Sequence, residues 1–592
     1  MKTESGNNGG ATRDGGGGGG DGDGEKWVHD SSVDHRGRVP LRASTGVWKA
    51  SFFIITIEFA ERLSFFGIAT NLIIYLTKVM HQNLKTAAKN ANYWSGVTAI
   101  MPMVGGFLAD SYTGRFFMIM FSSILYLMGL GLLTMSQFIP SLKACGVPNC
   151  QAPRRVHEVT FNLAIYLISL ATGGFKPCLE SFGADQFDDD HPEERKQKMS
   201  FFNWWNVSLC CGLLFGVTLI AYVEDYVGWG AAAVILTAIM GVSTLILYFG
   251  RPFFRYRVSV GSPITPLFQV IVAAIAKRNL EHPSKPELLY EVPKSKSRLL
   301  CHTNKLRFLD KAAIIEDHDV QAGKPEGPWR LATVTQVEET KLVLNMVPIW
   351  LASLMLGVCM SFGSTFFVKQ SSTMYRRIGH FEIPPASVFS LSAIGLLLSV
   401  IAYEKILVPV LRKQTGNERG ITILQRIGIG LVLNILGMAV AAVVERKRLS
   451  IAERENFHQP ISMSVFWLTP QYMILAVGDG FCLVGLQEFF YHQVPDSMRS
   501  LGLAFYLSVL GVGSFLSSFL ITIVDHITTK TGGSWFGVDL NHSRTDNFYW
   551  LITAMAALDL CIYVLLAKRY TYKNVLQGAV EEGDHHDPEM TN

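Results

Sequence analysis

Charged side chains are scarce in this chain. Only 17% of its 592 residues are Asp, Glu, Lys or Arg, against about 25% in typical soluble proteins. The net charge of +4 is small for the length, and no stripe of basic and aromatic residues accompanies it, which argues against a nucleic-acid partner. The nine cysteines lack metal-ligand spacing, so no metal is expected. Cys210, Cys211, Cys359, Cys482 and Cys561 lie in apolar runs and read as small packing residues. No nucleophile–base pair stands out, and the glycine run at 15–20 lacks the lysine and helix of a phosphate loop. Catalytic residues and cofactors are therefore not expected. A cleavable leader is missing too: the first apolar run is too long, starts near residue 48 and has no small-residue cleavage site. It reads as an uncleaved signal anchor.

What the chain has instead is apolar length. Hydrophobic residues make up 49% and come in blocks long enough to cross a bilayer, about 20 residues each. Spanning segments are expected near 48–77, 92–111, 115–139, 158–182, 200–223 and 229–250, then near 340–367, 385–410, 421–443, 464–490, 500–526 and 547–567. Between the sets lies a polar stretch, 251–335, richer in lysine and arginine than in acids. The expected fold is an all-α membrane protein with twelve transmembrane helices in two six-helix bundles, the major facilitator layout. Its parts are a disordered cytoplasmic tail (1–46, glycine- and aspartate-rich), bundles at 47–250 and 336–568, the cytoplasmic linker 251–335, and a cytoplasmic tail at 569–592.

The basic linker marks the cytoplasmic side, and an even helix count puts both termini there. One basic group objects: Arg446, Lys447, Arg448 and Arg454 fall between the ninth and tenth spans, on the outside. The sequon Asn541-His542-Ser543 also falls outside. Cys145 and Cys150 bracket a short loop, and a loop facing the outside or a lumen would allow them a disulfide.

The informative charges are those that sit in apolar helices. Glu58, Glu61 and Arg62 interrupt the first span, where one charge at the bilayer centre costs roughly 2.5–3.5 kcal/mol on insertion scales. Spacings of three and four put them on one helical face, so that face belongs against protein or water. Lys176 follows Gly173-Gly174-Phe175 and precedes Pro177, a sequence that loosens a helix and opens its carbonyls to a cavity; a lysine snorkelling from a helix end is the competing reading. Glu488, in the tenth span, is the acid available in the second bundle to partner Lys176. Asp479, between Gly478 and Gly480, reads equally as a packed polar residue and as a working one. Asp110 and Arg115, in Gly106-Phe107-Leu108-Ala109-Asp110 and Gly114-Arg115, fit a tight gate loop between the second and third spans. Phe201, Phe202, Trp204 and Trp205 read as an interfacial belt before a ligand platform.

With these residues in view, the chain resembles the plant nitrate/peptide transporter family, the plant branch of the proton-dependent oligopeptide transporters. Glu58, Glu61 and Arg62 match that family's Glu-x-x-Glu-Arg motif, Phe201 to Asn206 its fifth-helix signature, and Glu488 to Ser500 its tenth-helix ending. The match covers 46–570. It departs in several places. The seventh span has no histidine; the proton-binding glutamate of bacterial relatives is replaced by Lys369; a substrate arginine and a tyrosine of peptide carriers would fall at Ala69 and Ala99; and His492 stands where aspartate is common. The resemblance implies a proton-coupled symporter working by alternating access in the lipid bilayer, plasma or vacuolar. Its partners would be protons and a small solute: nitrate, a peptide or another organic molecule. Glu58, Glu61 and Arg62 would couple the proton, and Lys176 and Glu488 would form an inter-bundle bridge. A membrane sensor with little flux is the alternative class.

Overall fold

The structure is a computed structural model that describes residues 27–28, 32–144, 153–188, 191–257, 265–280, 289–290, 302–315, 327–415, 421–494, 499–537 and 539–570. Cys145 and Cys150 lie outside the described residues. Among the described residues, twelve helices are long enough to cross a membrane. The first six are α1 (Val47–Lys78), α2 (Leu84–Leu108), α3 (Arg115–Phe138), α4 (Arg155–Ala184), α5 (Pro192–Phe215, prolonged by π turns to Val227) and α6 (Trp229–Phe249). The second six are α7 (Val334–Leu351, then Leu354–Ser364 and Phe366–Thr373, bent by 50° between its first two parts), α8 (Ser390–Ala402, running on to Thr415), α9 (Ile423–Arg454), α10 (Thr469–Gln493), α11 (Arg499–Lys530) and α12 (Thr545–Arg569).

Local chemistry sets these ends. Asn83 caps α2 through the Thr86 amide, and capping boxes start α7 (Thr333, Gln336) and α9 (Thr422, Gln425). Gly46 precedes α1 at φ 75° against Arg255, where an added Cβ would lie 2.4 Å from the guanidinium. Only glycine satisfies both the backbone and the space. The periphery is lipid-like, as in α12, where 22% of the apolar window is buried. In contrast α1 is buried along most of its length, which is how it can carry charge. Close helix approach depends on glycines: Gly212 and Gly216 of α5 press on Arg62, Phe59 and Leu63 of α1, and Gly357 and Gly513 bring α7 onto α11.

Three sequence expectations change. The tail 1–46 is not wholly disordered, since residues 32–46 pack on the linker-side end of the first bundle, called the inner end here, with the opposite end called the outer. There Arg255 is fully buried, donating to Glu194 at 2.6 Å and to the Thr45 carbonyl, while Arg42 meets Glu194 and Asp188 at 2.5 and 2.9 Å. The basic group Arg446 to Arg454 is the outer end of α9 and not a loop, and Arg448 there is fully buried. The fifth span runs from Pro192 to Val227 and takes Glu224 inside the bundle.

The halves meet along their outer ends. Between α2 and α11, Lys85 pairs with Asp525 at 2.9 Å, Ser518 donates to the Lys89 carbonyl, Asn92 donates to Ser517, and Gly96 lies against Phe515. Lys369 of α7 donates to Thr77 of α1 at 2.9 Å. A short hairpin, Arg377–Ile378 with Phe381–Glu382, reaches α5: Phe381 stacks on Tyr222, and Tyr226 donates to the Glu382 carbonyl. Toward the linker side, α4 and α10 do not pack on one another.

Candidate functional site

The site is built on α1 halfway along its length. Arg62 reaches back over one helical face to both acids, with Nε 3.2 Å from Glu58 Oε1 and Nη2 2.6 Å from Glu61 Oε2. All three side chains are buried. Thr172 of α4 donates to Glu61 Oε1 at 3.4 Å. Lys176, one turn on, lays its ammonium 4.7 Å from the Phe65 ring centre, and the Arg62 guanidinium lies 5.8 Å from the same ring. Phe65 therefore faces two cations. The contacts are close but poorly directed: neither Glu61 Oε2 nor Arg62 Nε has a hydrogen bond of good geometry. With every group ionised, Glu58 and Glu61 offset Arg62 and Lys176; Glu180 of α4, one turn beyond Lys176, is a further acid facing Glu58 and Arg62.

The expected Lys176–Glu488 bridge is not made in this conformation. Lys176 rests on Phe65, and Glu488 of α10 lies 3.9 Å from Arg426 of α9. The physical reason is the separation of α4 from α10 while the outer ends are closed. Arg426 also sits 3.9 Å over the Tyr403 ring of α8. Sequence reading missed this arginine; its signal was a lone charge one turn into an apolar run.

The loop between α2 and α3 is a charge node. Asp110 occupies a π turn (Ala109–Thr113) closing α2, and Gly114 turns the chain at φ 78°. Arg115 then contacts Asp110 at 3.3 Å and Asp185, at the end of α4, at 2.5 Å; Arg257 from the linker approaches Asp185 at 3.6 Å. The α2–α3 turn is thereby tied to α4 and to the linker. The aromatic set is split: Phe201 and Trp205 pack inside the bundle against Gly183 and Phe187, and Trp204 faces outward. Asp479 is enclosed in the second bundle with Asn434, Cys359 and Tyr506 around it.

Two further charge clusters are structural in form. Glu445 and Arg448 pair at 2.7 Å at the outer end of α9. Asn541, the sequon residue, is buried with its carbonyl accepting from Arg448 at 2.6 Å, so it is not available for a glycan. In the linker region, His302, Asp310 and Glu338 bring ligand-type atoms together. However, the Lys341 ammonium lies 2.6 Å from Asp310 and 2.8 Å from Glu338, so a protein cation already fills that role.

Comparison with known proteins agrees with this geometry. A sequence signature of the POT family (PTR2) matches residues 116–538. Protein NRT1/ PTR FAMILY 5.6 of Arabidopsis thaliana is 59% identical, over 93% of this chain and 96% of its own length. Protein NRT1/ PTR FAMILY 5.7 of the same plant is 56% identical over 93% of each. Among solved structures, an auto-inhibited POT family peptide transporter superposes with a TM-score of 0.66 at 19% identity, covering 89% of this chain and 98% of that one. The POT family transporter PepTSo gives a TM-score of 0.66 at 17% identity, with 88% and 98% covered. These structural likenesses establish the shared fold. A chain of this descent is a transporter and not an enzyme. The chain belongs to the POT family, in its plant nitrate/peptide branch, as a multi-pass membrane transporter.

Proposed function

We propose that this transporter is a proton-coupled symporter of a small solute bearing an anionic group, working by alternating access. The observation that carries the reading is the gathering of Glu58, Glu61, Arg62 and Lys176 in a wall closed to lipid. A single proton on Glu61 or Glu58 adds one positive charge to the cluster. In a low-dielectric site that charge is strongly felt, and Arg62 or Lys176 then meets the substrate's anion. When the outer ends part and the inner ends close, Lys176 exchanges Phe65 for Glu488, which locks the inner side. Loss of the proton restores the Arg62 pairs and releases the solute.

Nitrate, peptides and other organic acids differ in the drive they need. Moving one charge through 100 mV is worth about 2.3 kcal/mol. One proton with a neutral or zwitterionic solute uses that drive, whereas one proton with a monovalent anion is electroneutral. Lys369 in α7, with no histidine nearby in that helix, disfavours a nitrate site built on a seventh-helix imidazole.

The test is uptake into proteoliposomes with acid outside, using a panel of nitrate, dipeptides and organic acids. The wild type is expected to accumulate at least one solute in a pH-dependent manner. E61Q is expected to lose about tenfold or more of acid-driven uptake, equivalent to ~1.4 kcal/mol or more, while exchange of preloaded solute persists. Full acid-driven accumulation in E61Q would reject the proton role, and no uptake of any solute by the wild type would favour the sensor reading.

A further inference from the structure

Glu224 has no part in the cluster described above, yet it is buried inside the first bundle, in the last turns of α5 on the outer side. Its Oε2 accepts one hydrogen bond, from Asn71 Nδ2 of α1 at 2.7 Å. Asn71 is itself almost wholly enclosed, and its Oδ1 has no hydrogen-bond partner. Beside the pair is a small cavity of about 30 Å³, lined by Ile68, Leu72, Tyr75, Gln137 and Trp229 among others; that is room for a water.

The groups facing Glu224 can be taken element by element. From α1 come Asn71 and Tyr75. The Tyr75 hydroxyl accepts from Gln137 of α3 at 2.8 Å and bonds His157 of α4 at 2.9 Å. From α6 comes Trp229, and from α5 the neighbouring Asp225. Lys78 of α1, at 3.9 Å, and Arg376, with Glu382, face the neighbouring Asp225 and not Glu224. Among the described residues Glu224 has no ion-pair partner.

An ionised carboxylate offers about four acceptor sites, and here one neutral amide serves them. Burying such an ion without a cation is far more costly than neutralising it. A protonated carboxyl inverts the problem, because its hydroxyl is the donor that Asn71 Oδ1 lacks. Acid and amide then satisfy one another in both directions.

We propose that Glu224 holds a proton in this outer-closed conformation, bonded to Asn71, and is a second proton-binding site of the transporter, distinct from Glu58 and Glu61. Two residues on, Tyr226 makes an inter-bundle contact with Glu382, so the site lies where the outer ends close. Ionising Glu224 places an unpaired charge in the wall between α1, α5 and α6. Water entering as the outer ends part relieves that charge. Proton binding at Glu224 therefore favours outer closure.

The test needs no substrate. Infrared difference spectra of the purified full-length protein in lipid are recorded across a pH titration, following the carbonyl stretch of protonated carboxyls. The wild type is expected to keep such a band above the ordinary carboxylate range. E224Q, whose amide can still pair with Asn71, removes it, and N71A shifts its frequency because the partner is gone. A band unchanged in E224Q, or unmoved in N71A should E224Q fail to fold, overturns the proposal. E61Q serves as the reference: it leaves the Glu224 band in place, so failure here and failure of the Glu61 role are read separately.

Discussion

Two buried acid–base groups in this molecule look alike in sequence and differ in kind. Glu58–Glu61–Arg62 and Glu445–Arg448 both place charges three or four residues apart in long apolar helices. In the second-bundle pair every nitrogen of Arg448's guanidinium and both carboxylate oxygens of Glu445 are used. Arg448 donates twice to Glu445, and also to Thr373, Asn541 and the Leu540 carbonyl; Glu445 accepts in addition from Gln370 and Thr545. In the first bundle the same charges are close but poorly directed, share an aromatic ring with a second cation, and include one acid more than Arg62 needs. A network with all partners in place is rigid and has one protonation state. A network with spare capacity can change partners, which is what coupling requires.

The largest effect expected from this contrast is at Arg448. R448A strands Glu445 in the interior and is expected to cost about 3–5 kcal/mol, read as a large fall in thermal stability of the purified protein; loss of uptake at unchanged stability would invert the comparison. Next, N541A removes one acceptor of a buried guanidinium, worth about 1.5–3 kcal/mol. The same sample tests the sequon: the intact mass of wild type expressed in a glycosylating host should show no glycan at Asn541. Third, E61Q leaves Arg62 its contact with Glu58 and should lower stability by about 1 kcal/mol or less, while acid-driven uptake is expected to fall about tenfold or more. A smaller change is expected at the outer seam, where Lys85 and Asp525 are partly solvated and such a pair is worth about 0–1 kcal/mol. D525N should raise labelling of a cysteine placed at the outer mouth by no more than about fivefold.

The smallest effect is on pH dependence outside the membrane. Burial would raise Asp539, but the backbone amide and ring of His542 bond its carboxylate and hold it below the usual range. A depressed acid contributes stability above its unfolded value of about 3.9 and loses it as pH falls through the folded value. D539N should therefore flatten the acid limb of a stability-against-pH curve while leaving the neutral limb alone.

How much of this was legible beforehand depends on what each residue answers to. Apolar length is a local property, so the helices, the linker and the charged face of α1 follow from the sequence. The path of α9 does not: Arg446 to Arg454 look like a loop until Glu445, Gln370, Thr545 and Asn541, scattered over the second bundle, give Arg448 its partners. Residues 32–46 carry no local folding signal; they are held by Arg255 and Glu194 from elsewhere. Glu224 was misplaced because a hydropathy boundary was drawn just before it, whereas the helix continues through π turns. The adjacent acids Glu224 and Asp225, ahead of Gly228-Trp229, were the available sign. The Lys176–Glu488 bridge is not made here, since Lys176 rests on Phe65 and Glu488 lies by Arg426, and a sequence lists candidate partners without saying whether they meet.

The anchoring of the linker has a mechanical consequence. Its first residues ride with one half, through Arg255 on Glu194 and Arg257 on Asp185. The helix Thr265–Ala276 and the turn Arg307–Ala313 ride with the other, where Leu267, Leu309 and Val337 join the packing of α7 and Lys341 ties Asp310 to Glu338. Arg257 therefore moves with one half and Thr265 with the other, so any swing of the halves is felt where the chain passes between these two anchors.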